Sequence, residues 1–153
     1  MNGYNQYQTN QIATATPEQI LLMLYDGAIR FIRRAIVAND ESKQVEKLQG
    51  ISKCMAIVAE FSNSLNHDIG GNIAEDLDAL YQFMIRELNL ARNDNSGEHL
   101  KTVETLLLDL RDTWGQAVEI NRQEIAVART VQTSTADSAA DMQRPYKSLM
   151  TAG

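Results

Sequence analysis

The sequence predicts an all-α chain folded as an antiparallel four-helix bundle, and three features lead there. No proline occurs between Pro17 and Pro145. Long helices explain that gap, because proline removes a backbone donor and breaks them. Apolar residues recur at three- and four-residue spacing in four stretches of roughly 20 residues, each about 30 Å of helix. Short polar breaks separate the stretches: NDES at 39–42, NHDIGG at 66–71 and NDNSG at 93–97. Connections this short make successive helices antiparallel neighbours.

The first helix opens on Thr16 as N-cap, with Pro17 at the first helical position and Gln19 completing a capping box. It should run to about Ala38 on a stripe of Ile20, Leu21, Leu24, Ala28, Phe31, Ile32 and Ala35. Leu22 and Ile29 widen that stripe to a second side. The second helix should end near Leu65. One of its stripes is Val45, Leu48, Ile51, Met55, Val58 and Leu65; another holds Cys54, Ile57 and Phe61. Asn72, with Glu75 three residues on, is the expected cap of the third helix, which carries Ile73, Leu77, Leu80, Tyr81, Met84, Leu88 and Ala91 and ends near Arg92. Asn95 or Ser96 should cap the fourth, built on Leu100, Val103, Leu107, Leu110, Trp114, Ala117 and Val118. Residues 121–131 read either as a short fifth helix or as an extension of the fourth. The domain reading is therefore a flexible arm at 1–15, a helical bundle at 16–131 and a small-residue, polar tail at 132–153, expected to be disordered.

A chain of 153 residues makes one domain that can bury a core without metal or disulfides. Its formal net charge of −6 argues against nucleic acid as main partner and lends nothing to an anionic membrane surface. The single cysteine, Cys54, forms no internal disulfide and fits a reducing compartment. No leader pattern and no membrane-spanning apolar run is read, so the expectation is a cytoplasmic protein. His67 and His99 belong to no metal-ligand spacing, and no Glu-x-x-His motif occurs. Both are expected as solvated side chains. Cys54 sits among Ile51, Val58 and Phe61 on its helix and reads as a buried structural thiol. Without a phosphate loop or a nucleophile set, no enzyme, metal or cofactor is expected.

The signal that remains is surplus apolar surface. Leu22, Ile29, Ile57, Phe61, Tyr81, Ile85, Leu90, Leu106 and Leu108 lie at or beyond the edge of a minimal inward stripe. Such a strip must close the core flanks, join a second copy or receive a partner helix. Two readings follow, a binding module and a self-associating structural bundle. Oligomeric state is open at this level.

Residues 14–31, TATPEQILLMLYDGAIRF, resemble the signature of the flagellar secretion chaperone family, the export chaperones of flagellin. A Thr-Ala-Ser-Pro-like cap, a polar pair, a leucine-rich turn and MLYDG stand in order. Thr16 replaces the common serine and caps nearly as well. The likeness continues through Ala59, Glu60, Leu65-Asn66, the NHDIGG turn, Leu80-Tyr81 and LRDTWGQA at 110–117.

The resemblance implies a cytoplasmic bundle that binds the C-terminal segment of newly made flagellin, prevents premature polymerisation and keeps the subunit competent for flagellar type III secretion, with the export gate as a second candidate partner. It implies no cofactor. Expected client contacts are Ile57, Phe61, Leu65, Tyr81 and Leu106. Tyr4, Tyr7 and Ile12 are the expected arm that covers the empty groove. In the motif, Leu24 is a packing residue and Tyr25 lies at a helix seam with its hydroxyl on a polar partner. Asp26 should pair with Arg30 one turn on. Gly27 marks either a close helix approach or a tolerated packing glycine, and Trp114 is an expected core anchor.

Overall fold

The computed structural model describes the backbone of residues 15–152 and the side chains of residues 15–133. The arm residues Tyr4, Tyr7 and Ile12 lie outside the described residues. Four helices follow one another, and no strand occurs among the described residues: α1 (Pro17–Asp40), α2 (Gln44–Ser64), α3 (His67–Ala91) and α4 (Glu98–Ala152). The chain divides into two compact units between Trp114 and Gly115.

The first unit is the bundle. The Thr16 hydroxyl accepts the Gln19 N–H at 3.2 Å while the Gln19 side chain accepts the Thr16 N–H at 3.0 Å. The capping box thus satisfies two backbone donors that a helix start would leave open. The helices run antiparallel in sequence order, as their contacts show. Gly27 faces Ile57 and Gly50 faces Phe31 and Ala35, which sets α1 against α2. Ser62 bonds Asp78 while the Lys47 ammonium donates to the Asp94 carbonyl at 2.9 Å, which sets α2 against α3 and its following loop. Arg33–Glu104 at 3.1 Å and Asp26–Arg111 at 2.9 Å set α1 against α4.

All four helices contribute to one core, built on Tyr25, Ile32, Ile51, Val58, Met84, Leu88, Leu100, Val103 and Leu107. The inward face of α1 is turned from the expected one. Tyr25, Ala28, Ile29 and Ile32 are buried, whereas Leu21, Leu24 and Phe31 are half-buried. Val45 on α2 and Ile73 on α3, both expected inside, are exposed. Each lies in the first part of its helix, on a side that no neighbouring helix covers.

The start of α3 also differs from expectation. Asn66, not Asn72, is the N-cap, and its side chain accepts the N–H groups of Asp68 and Ile69, each at 3.1 Å. The helix then kinks at Gly71, whose φ of 49° and ψ of −124° suit a residue without Cβ. NHDIGG is therefore one capped helical turn followed by a bend. At α4 the Ser96 hydroxyl accepts the Glu98 N–H at 3.2 Å, as the expected cap region requires.

The second unit begins at Gly115, and its backbone is helical to Ala152, residues 121–131 included. Helical backbone runs on to Ala152 across the tail in which the composition shows no packing pattern. Helix hydrogen bonds are local, so a helix can continue where no neighbour packs on it. Ile120, Ile125, Val127 and Val131 are exposed there.

Candidate functional site: an apolar seam between two helices

The motif MLYDG places its tyrosine at the centre of the bundle. Tyr25 is fully buried, and its hydroxyl lies 2.7 Å from that of Tyr81 on α3. The Phe61 ring stacks on Tyr25 at 4.3 Å between centroids and 21° between planes. It tilts against Tyr81 at 5.5 Å and 37°. Burial, followed by the hydrogen bond to Tyr81, pushes the Tyr25 hydroxyl well above its usual ionisation range. Burial likewise raises Tyr81. Both phenols remain neutral and serve as a polar clasp inside an apolar core.

This clasp takes in two of the expected client contacts. Phe61 and Tyr81, 4% and 3% exposed, are core residues. Sequence reading counted both at the edge of a minimal stripe, Phe61 on the second stripe of α2 and Tyr81 among the stripe residues of α3. The core is wide enough there to take both rings. Ile57, Leu65 and Leu106 are half-buried and packed on the core, each with an accessible side.

The other motif residues are also resolved. Leu24 packs half-buried on the core, as expected. Asp26 pairs with Arg111 of α4, not with Arg30. The partner one turn along its own helix loses to one delivered by a neighbouring helix. Gly27 is a tolerated packing glycine, since a Cβ there would meet Ile57 Cδ1 at an ordinary 3.5 Å. The close approach belongs to Gly50, where a Cβ would stand 2.8 Å from the Phe31 carbonyl oxygen. Trp114 is half-buried against the core. Its ring N–H is buried near the Tyr25 hydroxyl without a hydrogen bond of ordinary geometry.

His99, expected in solvent, is engaged. Its Nδ1 meets a Glu87 carboxylate oxygen of α3, and its Nε2 stands 3.6 Å from Asp94 Oδ2. The Ser96 hydroxyl and N–H, both donating to Asp94, hold that carboxyl below its usual range. His67 is exposed at the start of α3. Cys54 is buried, and burial pushes its thiol up to about 12, as a structural thiol requires. Among the described residues no group of three or more His, Cys, Asp or Glu side chains could hold a metal ion. No helix among them is long and apolar enough to cross a membrane.

The pairing of Glu87 with His99 fixes the register of α3 against α4. In antiparallel helices, equal steps away from that pair carry Leu80 opposite Leu106, with Leu77 near Leu110 and Ile73 near Trp114 one and two turns on. Except for Ile73, which is exposed, these side chains are half-buried. By that register they mark an apolar seam along the α3/α4 side, each side chain part accessible and part packed on the core. An amphipathic helix laid along such a seam buries its own apolar face. Sequence reading listed Leu106 as an expected client contact and placed Leu77, Leu80 and Leu110 on the inward stripes. The signal that separates them is interhelical register, which a single-helix period does not contain.

Comparison with known proteins agrees with this architecture. The sequence profile of the family described as Flagellar protein FliS matches residues 1–121. The flagellar secretion chaperone FliS of Bacillus subtilis is 35% identical over 123 residues, covering 80% of this chain and 91% of that protein. The flagellar secretion chaperone FliS of Salmonella typhimurium is 33% identical over 106 residues, covering 69% of this chain and 78% of that protein. A crystal structure of a flagellar chaperone from bacteria shares the fold, with a TM-score of 0.63 at 22% identity over 78% of this chain and 97% of that one. A match over this span, with the MLYDG tyrosine at the heart of an all-α bundle, means that the chain belongs to the FliS family of flagellar secretion chaperones, which are non-catalytic.

Proposed function

We propose that this chain acts in the cytoplasm on flagellin. It binds the C-terminal segment of the newly made subunit, prevents premature polymerisation and keeps it competent for flagellar type III secretion. What supports the reading is the set of half-buried Leu77, Leu80, Leu106 and Leu110, which the Glu87–His99 pairing sets at matching levels of α3 and α4, on a bundle whose family is one of flagellar secretion chaperones. The client segment lies along Leu80 and Leu106, becoming helical in part, and reaches Ile57 and Leu65 by wrapping round the bundle. Tyr4, Tyr7 and Ile12 cover the seam when no client is bound. The export gate receives the complex.

Calorimetry of the full chain with a flagellin C-terminal fragment tests this. Binding should show a negative heat-capacity change, the mark of apolar burial. Leu106→Asp should keep the fold, because the side chain is half-buried, and should lower affinity at least tenfold, about 1.4 kcal/mol. Phe61→Asp should unfold the bundle instead, since it places a charge in the core. A folded Leu106→Asp protein with unchanged affinity and heat capacity would remove the seam as the client site.

A further inference from the structure

The helix pair α1/α2, on the side of the bundle away from the α3/α4 seam, carries a different surface. A groove of about 840 Å³ runs along it, floored by Phe31 and Gly50. Gly50 has no side chain between the helices, and its Cα approaches the Phe31 carbonyl closely enough that a Cβ would clash. That approach brings Lys53, one turn further along α2, to 5.3 Å from the centre of the Phe31 ring. Arg34 and Arg30 of α1 reach the same ring at 5.7 and 5.9 Å. Three cations from two helices therefore converge on one half-buried aromatic ring.

Five cations, Arg30, Arg33, Arg34, Lys43 and Lys53, and three carboxylates line the groove, which keeps a net positive charge. The other two cations of the groove are engaged, Arg33 with Glu104 and Lys43 with Glu41 at 2.8 Å. Among the described residues no carboxylate forms an ion pair with Arg30, Arg34 or Lys53. Three like charges around one ring repel one another, and a bound anion removes that repulsion. Asp26, Glu41 and Glu46 rim the groove and would repel a continuous polyphosphate running past it. The site therefore suits a few carboxylates beside an apolar group.

We propose that the α1/α2 groove docks an acidic peptide segment of a protein partner, with its carboxylates on Arg30, Arg34 and Lys53 and an aromatic or aliphatic side chain on the exposed part of Phe31. This surface is independent of the flagellin reading and gives the chain a second docking face.

The test uses the full chain and a short blocked peptide of Asp and Glu with a central Phe. Its control replaces every acid by the corresponding amide. Calorimetry and amide chemical shifts should show the acidic peptide binding, with the largest shifts at residues 30–34 and 50–53, and the amide control not binding. Added salt should weaken binding, because the contacts are at the surface. Arg34→Gln combined with Lys53→Gln should lower affinity about tenfold while leaving the unfolding midpoint unchanged, both side chains being exposed. No binding, equal affinity for the amide peptide, or equal affinity of the folded double variant would overturn the proposal. So would tighter binding of an oligothymidylate that displaces the peptide, which would make the groove a polyphosphate site.

Discussion

The hydroxyl groups of Tyr25 and Tyr81 meet at 2.7 Å inside the core, one on α1 and the other on α3. Each is the other's partner: one donates, the other accepts. Phe61 of α2 lies against both rings. Three helices are thereby fixed in rotation by one polar contact surrounded by aromatic surface. Apolar side chains alone tolerate sliding, whereas an orphaned hydroxyl in this place would carry a desolvation penalty.

Tyr25→Phe should therefore destabilise the bundle by about 1–3 kcal/mol, chiefly by leaving the Tyr81 hydroxyl buried without its partner. Adding Tyr81→Phe should recover part of that loss, because the orphan is removed. Urea unfolding of both single variants and the double variant gives the coupling. Strictly additive losses would show that the two hydroxyls do not act as a pair.

Alkaline pH should act on the same region. Tyr25, Tyr81 and Cys54 all hold their protons in the native state beyond their ordinary range, mainly through burial. In the unfolded chain the thiol ionises near 9.0 and the phenols near 10.0. Above those values the unfolded state has released protons that the native state keeps. The sign is therefore a loss of stability as pH rises, approaching about 1.4 kcal/mol per pH unit for each such group. Cys54→Ala should delay the onset. Urea midpoints from pH 8 to pH 10.5 measure this, and a flat profile in the native chain would contradict the burial of all three groups.

Local signals in the sequence were legible and interhelical ones were not. The Thr16, Pro17 and Gln19 cap was readable because all its partners lie within one turn. The four helices followed from period and polar breaks. The Asp26–Arg111 pair was hidden because Arg30 offered a nearer partner in sequence and nothing local says which neighbour arrives at Asp26. Phe61 and Tyr81 looked like client contacts because a stripe drawn on one helix cannot show how wide the core becomes when three helices bring rings to the same place. The cap at Asn66 was missed because two glycines at 70 and 71 read as a turn, although a single bend at Gly71 is enough.

Gly50 and Gly27 should respond in opposite ways to the same substitution. Gly50→Ala puts a Cβ 2.8 Å from the Phe31 carbonyl oxygen and 3.1 Å from Ala35. Backbone lies on the far side of that contact, so α1 and α2 must separate, at a cost of about 1–3 kcal/mol. Gly27→Ala meets only the end of Ile57 at 3.5 Å and should gain up to about 1 kcal/mol from better helix propensity. Thermal unfolding of the two variants side by side is the measurement. A stabilised Gly50→Ala protein would mean that the α1/α2 crossing is looser than this contact requires.

The motif acid Asp26 should matter little for stability, in contrast to its neighbour Tyr25. Its carboxylate meets the Arg111 guanidinium at 2.9 Å, but the two side chains are 49% and 39% exposed. Water and salt screen such a pair, so Asp26→Asn should lose less than about 1 kcal/mol. Arg33–Glu104 joins the same two helices two turns away and holds the register meanwhile. Reversing one charge with Asp26→Arg should cost more, since it sets two guanidinium groups together, and adding Arg111→Asp should restore most of that loss. The differences should shrink in 1 M salt, where the screening length falls to about 3 Å. Urea unfolding of these variants at low and high salt decides the matter. A loss from Asp26→Asn as large as that from Tyr25→Phe, persisting in high salt, would place Asp26 in a structural role that this exposed pair does not supply.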